Sequence, residues 1–339
     1  MLYVVLFFLM VSLLLYVILA GADFGAGIIE LFSSKENQKI TKKTVYRVMG
    51  PVWEANHIWI IIMIVILWVG FPAFYNVLMV HLHIPLTLVL LGITLRGVAF
   101  VFRHYDAYID KSQILYDWMF RVSSLITPIF LGMTFGAMIS GQIILTENYE
   151  SYHFFDLFIK PWFNLFSFLV GCFFASLCAF LTSVLLIGES ENSNRFIYVK
   201  KARIATIVVI IIGFVLLSYG YINKFTFVLN FIESPISWVF IILSATLILP
   251  LLNLIKNERR ILSRFLAGLQ VLLILLAALI PHFPELIITS TSSIDLLETV
   301  ATEKVIHVLG KALIIGGLLI IPGVFHLFKS FKMIKILEQ

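Results

Sequence analysis

Charge is scarce in this chain. Only 13% of its 339 residues are Asp, Glu, Lys or Arg, roughly half the share of an ordinary soluble domain. That scarcity excludes a water-soluble enzyme and a disordered chain. Cysteine is nearly absent. Cys172 and Cys178 lie six residues apart in one apolar run, point to different sides of a helix, and cannot frame a secreted disulfide scaffold. No polar segment is long enough to fold as an extramembrane domain. Phosphate loops, dinucleotide fingerprints, nucleophile elbows and zinc-ligand spacings are missing too.

What is there is apolar. Hydrophobic residues make up 61% of the sequence, Phe alone numbers 31, and the mean hydropathy is +1.04. About 20 apolar residues cross the roughly 30 Å hydrocarbon layer of a bilayer. Nine runs qualify, over 2–22, 52–74, 79–102, 119–142, 161–188, 203–222, 237–255, 262–282 and 305–328. The first has no basic leader and is too long for a cleaved signal, so it reads as a retained helix. The predicted fold is an all-α polytopic membrane protein forming one membrane domain over 1–339. It comprises two four-helix bundles (2–142 and 161–282) and one additional helix.

The basic residues set an orientation. Of the 24 Lys and Arg, 19 fall in 34–47, 103–121, 195–203, 256–264 and the tail. The alternate connections hold only Lys160, Lys224 and Lys304. Positive residues favour the cytoplasm, so the N-terminus is expected outside and the C-terminus inside. The net charge of +5 is therefore topology, and no nucleic-acid partner is expected. Aromatic residues mark the borders: Trp68, Phe71, Phe74 and Tyr75 at the outer end of the second run, Trp162 at the fifth, Trp118 at an inner start.

Ionisable residues inside the runs carry the information, because each costs about 2.5–3.5 kcal/mol at a helix centre on insertion scales. Asp23, Glu54, Arg96 and Lys311 stand out. Asp23 closes the first run, in Gly21-Ala22-Asp23-Phe24-Gly25-Ala26-Gly27, where Gly21 and Gly25 allow close helix approach. Glu54 lies in Gly50-Pro51-Val52-Trp53-Glu54-Ala55-Asn56-His57-Ile58-Trp59. Pro51 suits a first helical turn, and Glu54 and His57, three apart, share a helix face. Trp53, Glu54, Asn56 and His57 together make a turn too polar to face lipid. Asp23, Glu54 and Arg96 share the cytoplasmic third. They form either a proton relay, with His57 as a further carrier, or a charge-balanced knot in which Arg96 pairs with Glu54 and fixes packing. His57 also reads as a hydrogen-bonded packing residue. Lys311 is expected to face a polar neighbour. Of eight histidines only His57 is embedded near a packed segment, so the chain is not expected to hold a haem or a metal by itself. His81-x-His83 is too short for a metal site.

The segments 21–27 and 50–59, the run Leu95-Arg96-Gly97-Val98-Ala99-Phe100, and Phe71-Pro72 with Tyr75 resemble subunit II of the cytochrome bd-type quinol oxidases. The likeness covers about the first 105 residues by motif and the rest by hydropathy and Pro281-His282-Phe283-Pro284. Family members often continue there with a proline–serine step; here Thr289-Ser290-Thr291-Ser292-Ser293 comes later. The resemblance implies a non-haem-ligating subunit of a bacterial plasma-membrane complex that passes electrons from membrane quinol to oxygen, making water. Haems b and d are then expected in partner subunit I, an obligate partner, and a small single-helix subunit is a further candidate. Some relatives also hold a structural quinone. In relatives, acids at the positions of Asp23 and Glu54 line a proton route from the cytoplasm; many carry Asp where this chain has Glu54. Arg96, Trp53 and Asn56 are then expected in structural and charge-balancing roles. The rival reading is a proton-coupled transporter, since intramembrane acids and glycine-rich helices also mark transport pathways. A third is a scaffold with no proton role.

Overall fold

The computed structural model describes residues 1–50, 53–105, 111–146, 148–190, 194–256 and 260–330. Among these, nine helices are long and apolar enough to cross a membrane. They are α1 (Leu2–Leu31), α2 (Trp53–Gly70), α3 (His83–Arg103), α4 (Ser112–Ile139), α5 (Leu165–Glu189), α6 (Arg195–Ile222), α7 (Pro235–Ile255), α8 (Ile261–His282) and α9 (Glu303–Leu327). Each overlaps one predicted run.

The boundaries differ for physical reasons. The first run was expected to end near 22, yet α1 continues to Leu31. Its glycines do not stop it, because they are packed against α4 and α5: a Cβ on Gly25 would strike the Cys178 carbonyl, and one on Gly27 would strike Ser124. Asp23 therefore lies about 12 Å from the end of α1, not at its border. The fifth run starts later than 161, at Leu165, where the Asn164 side chain accepts a hydrogen bond from Ser167 N at 2.9 Å and caps the helix. The segment 34–47 is not a plain connection but part of a helix, Lys35–Met49. Thr41, Thr44, Val45 and Val48 are its buried residues, the one-sided spacing of an amphipathic helix. Pro51 lies outside the described residues.

α3 packs on α4, and α1 packs on α2 and α4; α5 packs on α6 and α8, and α7 on α8. α5 also lies on α1 and α4, and α9 leans on α1 and α2. α5 is the most buried span and α6 and α9 are largely exposed. The α4–α5 seam is close at Gly132, where a Cβ would come within 2.6 Å of Gly171 Cα. Such small-residue seams replace the hydrophobic drive that lipid cannot supply.

Some spans are not continuous α-helix. α1 widens to a π-helix over Tyr16–Ala20, α2 is interrupted at His57 and α7 at Leu247. Away from the basic connections, Glu285–Ile288 (β1) pairs antiparallel with Ser293–Asp295 (β2). The Ser/Thr-rich run read as a loop is the turn of this hairpin and the first residue, Ser293, of its second strand. His282 is held there by two carbonyls, Ala278 O at 2.8 Å and Phe227 O at 2.9 Å.

Candidate functional site

α1 contributes two carboxylates to the interior, Asp23 and Glu30, both with no exposed surface. α3 contributes two guanidinium groups, Arg96 and Arg103, at 1% and 5% exposure. Arg96 grips Asp23 with two parallel bonds, Nη1 to Oδ2 at 2.7 Å and Nη2 to Oδ1 at 2.6 Å. It also donates to the Asp23 carbonyl at 3.0 Å and to Ser124 Oγ at 3.1 Å. Arg103 Nη2 donates to both Glu30 oxygens, at 2.9 and 3.0 Å. The Phe120 ring of α4 serves both: its centroid is 5.1 Å from the Arg96 guanidinium carbon and 4.4 Å from that of Arg103. Fork-on-fork pairing and an aromatic face are what let guanidinium ions sit in an apolar interior.

The acids are seven residues apart and the arginines are seven residues apart, so both pairs join positions 73 apart. α1 and α3 therefore run in the same direction, with two rungs about 10 Å apart along the axis. The lower rung opens into a network. Arg121 Nε donates to Glu30 at 2.9 Å, Asp117 lies 3.1 Å from Arg103 and 2.7 Å from Lys42. Lys201 reaches over the end of α1 to Ile29 O at 3.3 Å and to Ser33 Oγ.

The expected residues are only partly brought together. Asp23, Arg96 and His57 converge: His57 Nε2 is 3.9 Å from Asp23 Oδ2. The ring lies between Phe24, 5.8 Å away, and Tyr16, 6.1 Å away. Arg96 does not pair with Glu54. The glycines of α1 turn Asp23, not Glu54, toward α3, and Glu54 is exposed. Nor do Glu54 and His57 share a face. The helix breaks at His57, whose N–H bonds Glu54 O at 3.2 Å, and the ring turns inward while Glu54 turns out. His57 is not a hydrogen-bonded packing residue either, as neither ring nitrogen has a hydrogen-bond partner among the described residues. Asn56 is buried, and Trp53 lies against Gly97 and the Phe100 ring. Lys311, expected to face a polar neighbour, is exposed on α9 and faces none among the described residues. At the opposite end, outside the spans, burial pushes the His81 imidazole below its ordinary value, which favours its neutral form.

The sequence reading passed over Glu30, Arg103, Asp117 and Arg121. The signal was present in the repeated interval of seven. No group of three or more His, Cys, Asp or Glu that could hold a metal occurs among the described residues. The surroundings of His57 do not fit a haem ligand: Asp23, Phe24 and Tyr16 occupy the space a macrocycle would need.

Residues 1–331 match the family model described as cytochrome bd terminal oxidase subunit II. Among similar proteins, a cytochrome bd ubiquinol oxidase subunit 2 of Bacillus subtilis is 28% identical over 65% of this chain and 64% of its own length. A putative cytochrome bd menaquinol oxidase subunit II of the same organism is 24% identical over 94% of this chain and 91% of its own. Cytochrome bd-I ubiquinol oxidase subunit 2 of Escherichia coli is 22% identical over 89% of this chain and 86% of its own. In shape, a chain of the bd oxidase from Geobacillus thermodenitrificans superposes with a TM-score of 0.74 at 17% identity, over 97% of this chain and 98% of that one.

Proposed function

The chain belongs to the cytochrome bd terminal oxidase subunit II family, and from that membership we propose that it serves a quinol oxidase by carrying protons inward from its basic end. Electrons pass from quinol to oxygen through haems b and d of a partner subunit I. This chain holds none of those groups; its task is to seat against the partner and move protons. Its N-terminus lies outside and its basic end faces the cytoplasm.

The observation that carries the proposal is the convergence of Asp23, Arg96 and His57 behind an exposed Glu54. Glu54 stands at the start of α2, where water at the basic end can protonate it. His57 follows one turn later, and its ring nitrogens are free to accept and release a proton. Asp23, 3.9 Å from that ring, offsets part of the cost of an imidazolium there, while burial and the Arg96 guanidinium that holds Asp23 oppose it, so the proton is not retained. The ladder thus fixes the electrostatic field, and Glu54 and His57 do the moving. The same face supports contact with subunit I. Beyond Glu54, α2 exposes Ile61, Ile64, Val65 and Trp68, and a carboxylate on such a surface is costly against lipid but not against protein or enclosed water. The transporter reading rested on intramembrane acids and glycine-rich helices, and both features belong equally to a chain of the oxidase family.

The test is Glu54→Gln in the purified complex, read by quinol-driven oxygen consumption and the haem spectrum. Turnover is expected to fall on the order of a hundredfold or more with haem content retained, the scale of losing a positioned acid–base group. Unchanged turnover would remove Glu54 from the path.

A further inference from the structure

Beyond His57, α1 carries polar groups that the path above does not use. Tyr16 Oη and Ser12 Oγ are buried, at 2% and 1% residue exposure, and neither has a hydrogen-bond partner among the described residues. Native interiors keep few such groups, and each calls for a reason. Here two of them lie next to a third. The Tyr16 ring is 6.1 Å from that of His57, and Ser12 and Tyr16 are four residues apart, on one face of the helix. Around them the wall is apolar, formed by Ala20, Phe24, Trp59 and Cys178. The backbone between Tyr16 and Asp23 is unusual as well: Tyr16–Ala20 is π-helical, a winding that is rare and concentrated at functional sites.

We propose that Tyr16 is a proton-relay residue and Ser12 its successor, forming a second leg of the path that leads along α1 away from the basic end. This rests on the proton-carrying reading of Glu54 and His57. The step balances without any redox partner. Protonated His57 gives its ring N–H proton through a bridging water to Tyr16 Oη, while the Tyr16 O–H proton passes, likewise through water, toward Ser12 Oγ, since none of these atoms has a direct hydrogen-bond partner among the described residues. Ser12 hands its own proton to water beyond it. One N–H bond is broken and one O–H bond is formed in net, His57 returns to neutral, and Tyr16 and Ser12 are neutral before and after. A tyrosine that exchanges protons in this way is never required to ionise, which suits its apolar wall.

The experiment uses the assembled complex. Tyr16→Phe keeps the ring and removes only the hydroxyl. The expected result is unchanged haem content and quinol KM, turnover lowered about tenfold, and a larger slowing in deuterated water than the wild type shows. Ser12→Ala is expected to lower turnover by a smaller factor, and Tyr16→Phe added to Glu54→Gln to lower it little further. If Glu54→Gln is slow but Tyr16→Phe matches the wild type in rate and isotope effect, this inference fails while the path through Glu54 stands. If both variants match the wild type, both fail. Should Tyr16→Phe not assemble, a high-resolution structure of the wild-type complex decides. An ordered water bonded to Tyr16 Oη on the His57 side is expected, and a dry, apolar enclosure around that hydroxyl overturns the proposal.

Discussion

Around α1, α3 and α4 the interior holds carboxylates and guanidinium groups in direct contact; the side-chain hydrogen bonds that join α7 to α8 come from hydroxyls and one amide. In the second region Ser237 Oγ donates to Ala277 O at 3.0 Å. Gln270 and Ser244 exchange bonds through their backbone carbonyls at 3.1 and 3.3 Å. The Glu189–Arg264 pair sits at the basic rim, each side chain more than a quarter exposed. The contrast shows that helix–helix packing in this molecule does not need buried ions. Neutral groups hold α7 to α8, at the modest net gain that such bonds give in membranes. Bringing four charges inside between α1 and α3 costs several kcal/mol per ion before pairing offsets it. The matched spacing of the two rungs gives these ions a packing role, and the proton carriage proposed for His57 gives the upper rung a second use, as a fixed field 3.9 Å from that imidazole.

Three substitutions test this difference, in decreasing order of effect. Arg96→Leu leaves Asp23 buried and uncompensated, a loss of roughly 3–5 kcal/mol. The assembled complex is expected to vanish from membranes, measured as haem per milligram of membrane protein. Pairing it with Asp23→Asn should restore part of the assembly without restoring turnover, and full turnover in that double variant would break the contrast. Glu30→Gln is milder, because Arg103 and Arg121 both retain Asp117. A loss of about 1–3 kcal/mol is expected, seen as a lowered melting temperature of the detergent-solubilised complex. Gln270→Leu should shift stability by no more than about 1 kcal/mol in either direction, since Gln270 Oε1 has no hydrogen-bond partner among the described residues and leucine has a similar volume. A loss as large as that of Arg96→Leu would erase the distinction between the two regions.

Much of this was legible in the sequence. Nine spans follow from run length, because a bilayer imposes one thickness on every crossing. Asp23, His57 and Arg96 stood out because lipid makes polar residues expensive. Two things were not legible. One was which carboxylate Arg96 meets. Helix rotation decides that, and rotation is set by where Gly25 and Gly27 let α5 and α4 come close, a contact between segments far apart in the chain. The other was the lower rung. With α1 taken to end at 22, Glu30 fell outside the predicted spans and was passed over, and Arg103 and Arg121 counted only toward topology. The same residues can serve both roles, since the inner border is where a basic side chain can turn back into the bundle. Lys311 shows the reverse: a charge within a span that lies exposed on α9, with no partner among the described residues.

The equal spacing of the two rungs makes them act as a vernier. If α3 slid along α1 by one heptad, Asp23 would meet Arg103, but Glu30 and Arg96 would be stranded without each other. A smaller displacement would strand all four. Each wrong alignment leaves buried charges unpaired, so the two helices have a single register in which they can dock. Hydrophobic helices, slippery by nature, are thereby locked against sliding past one another.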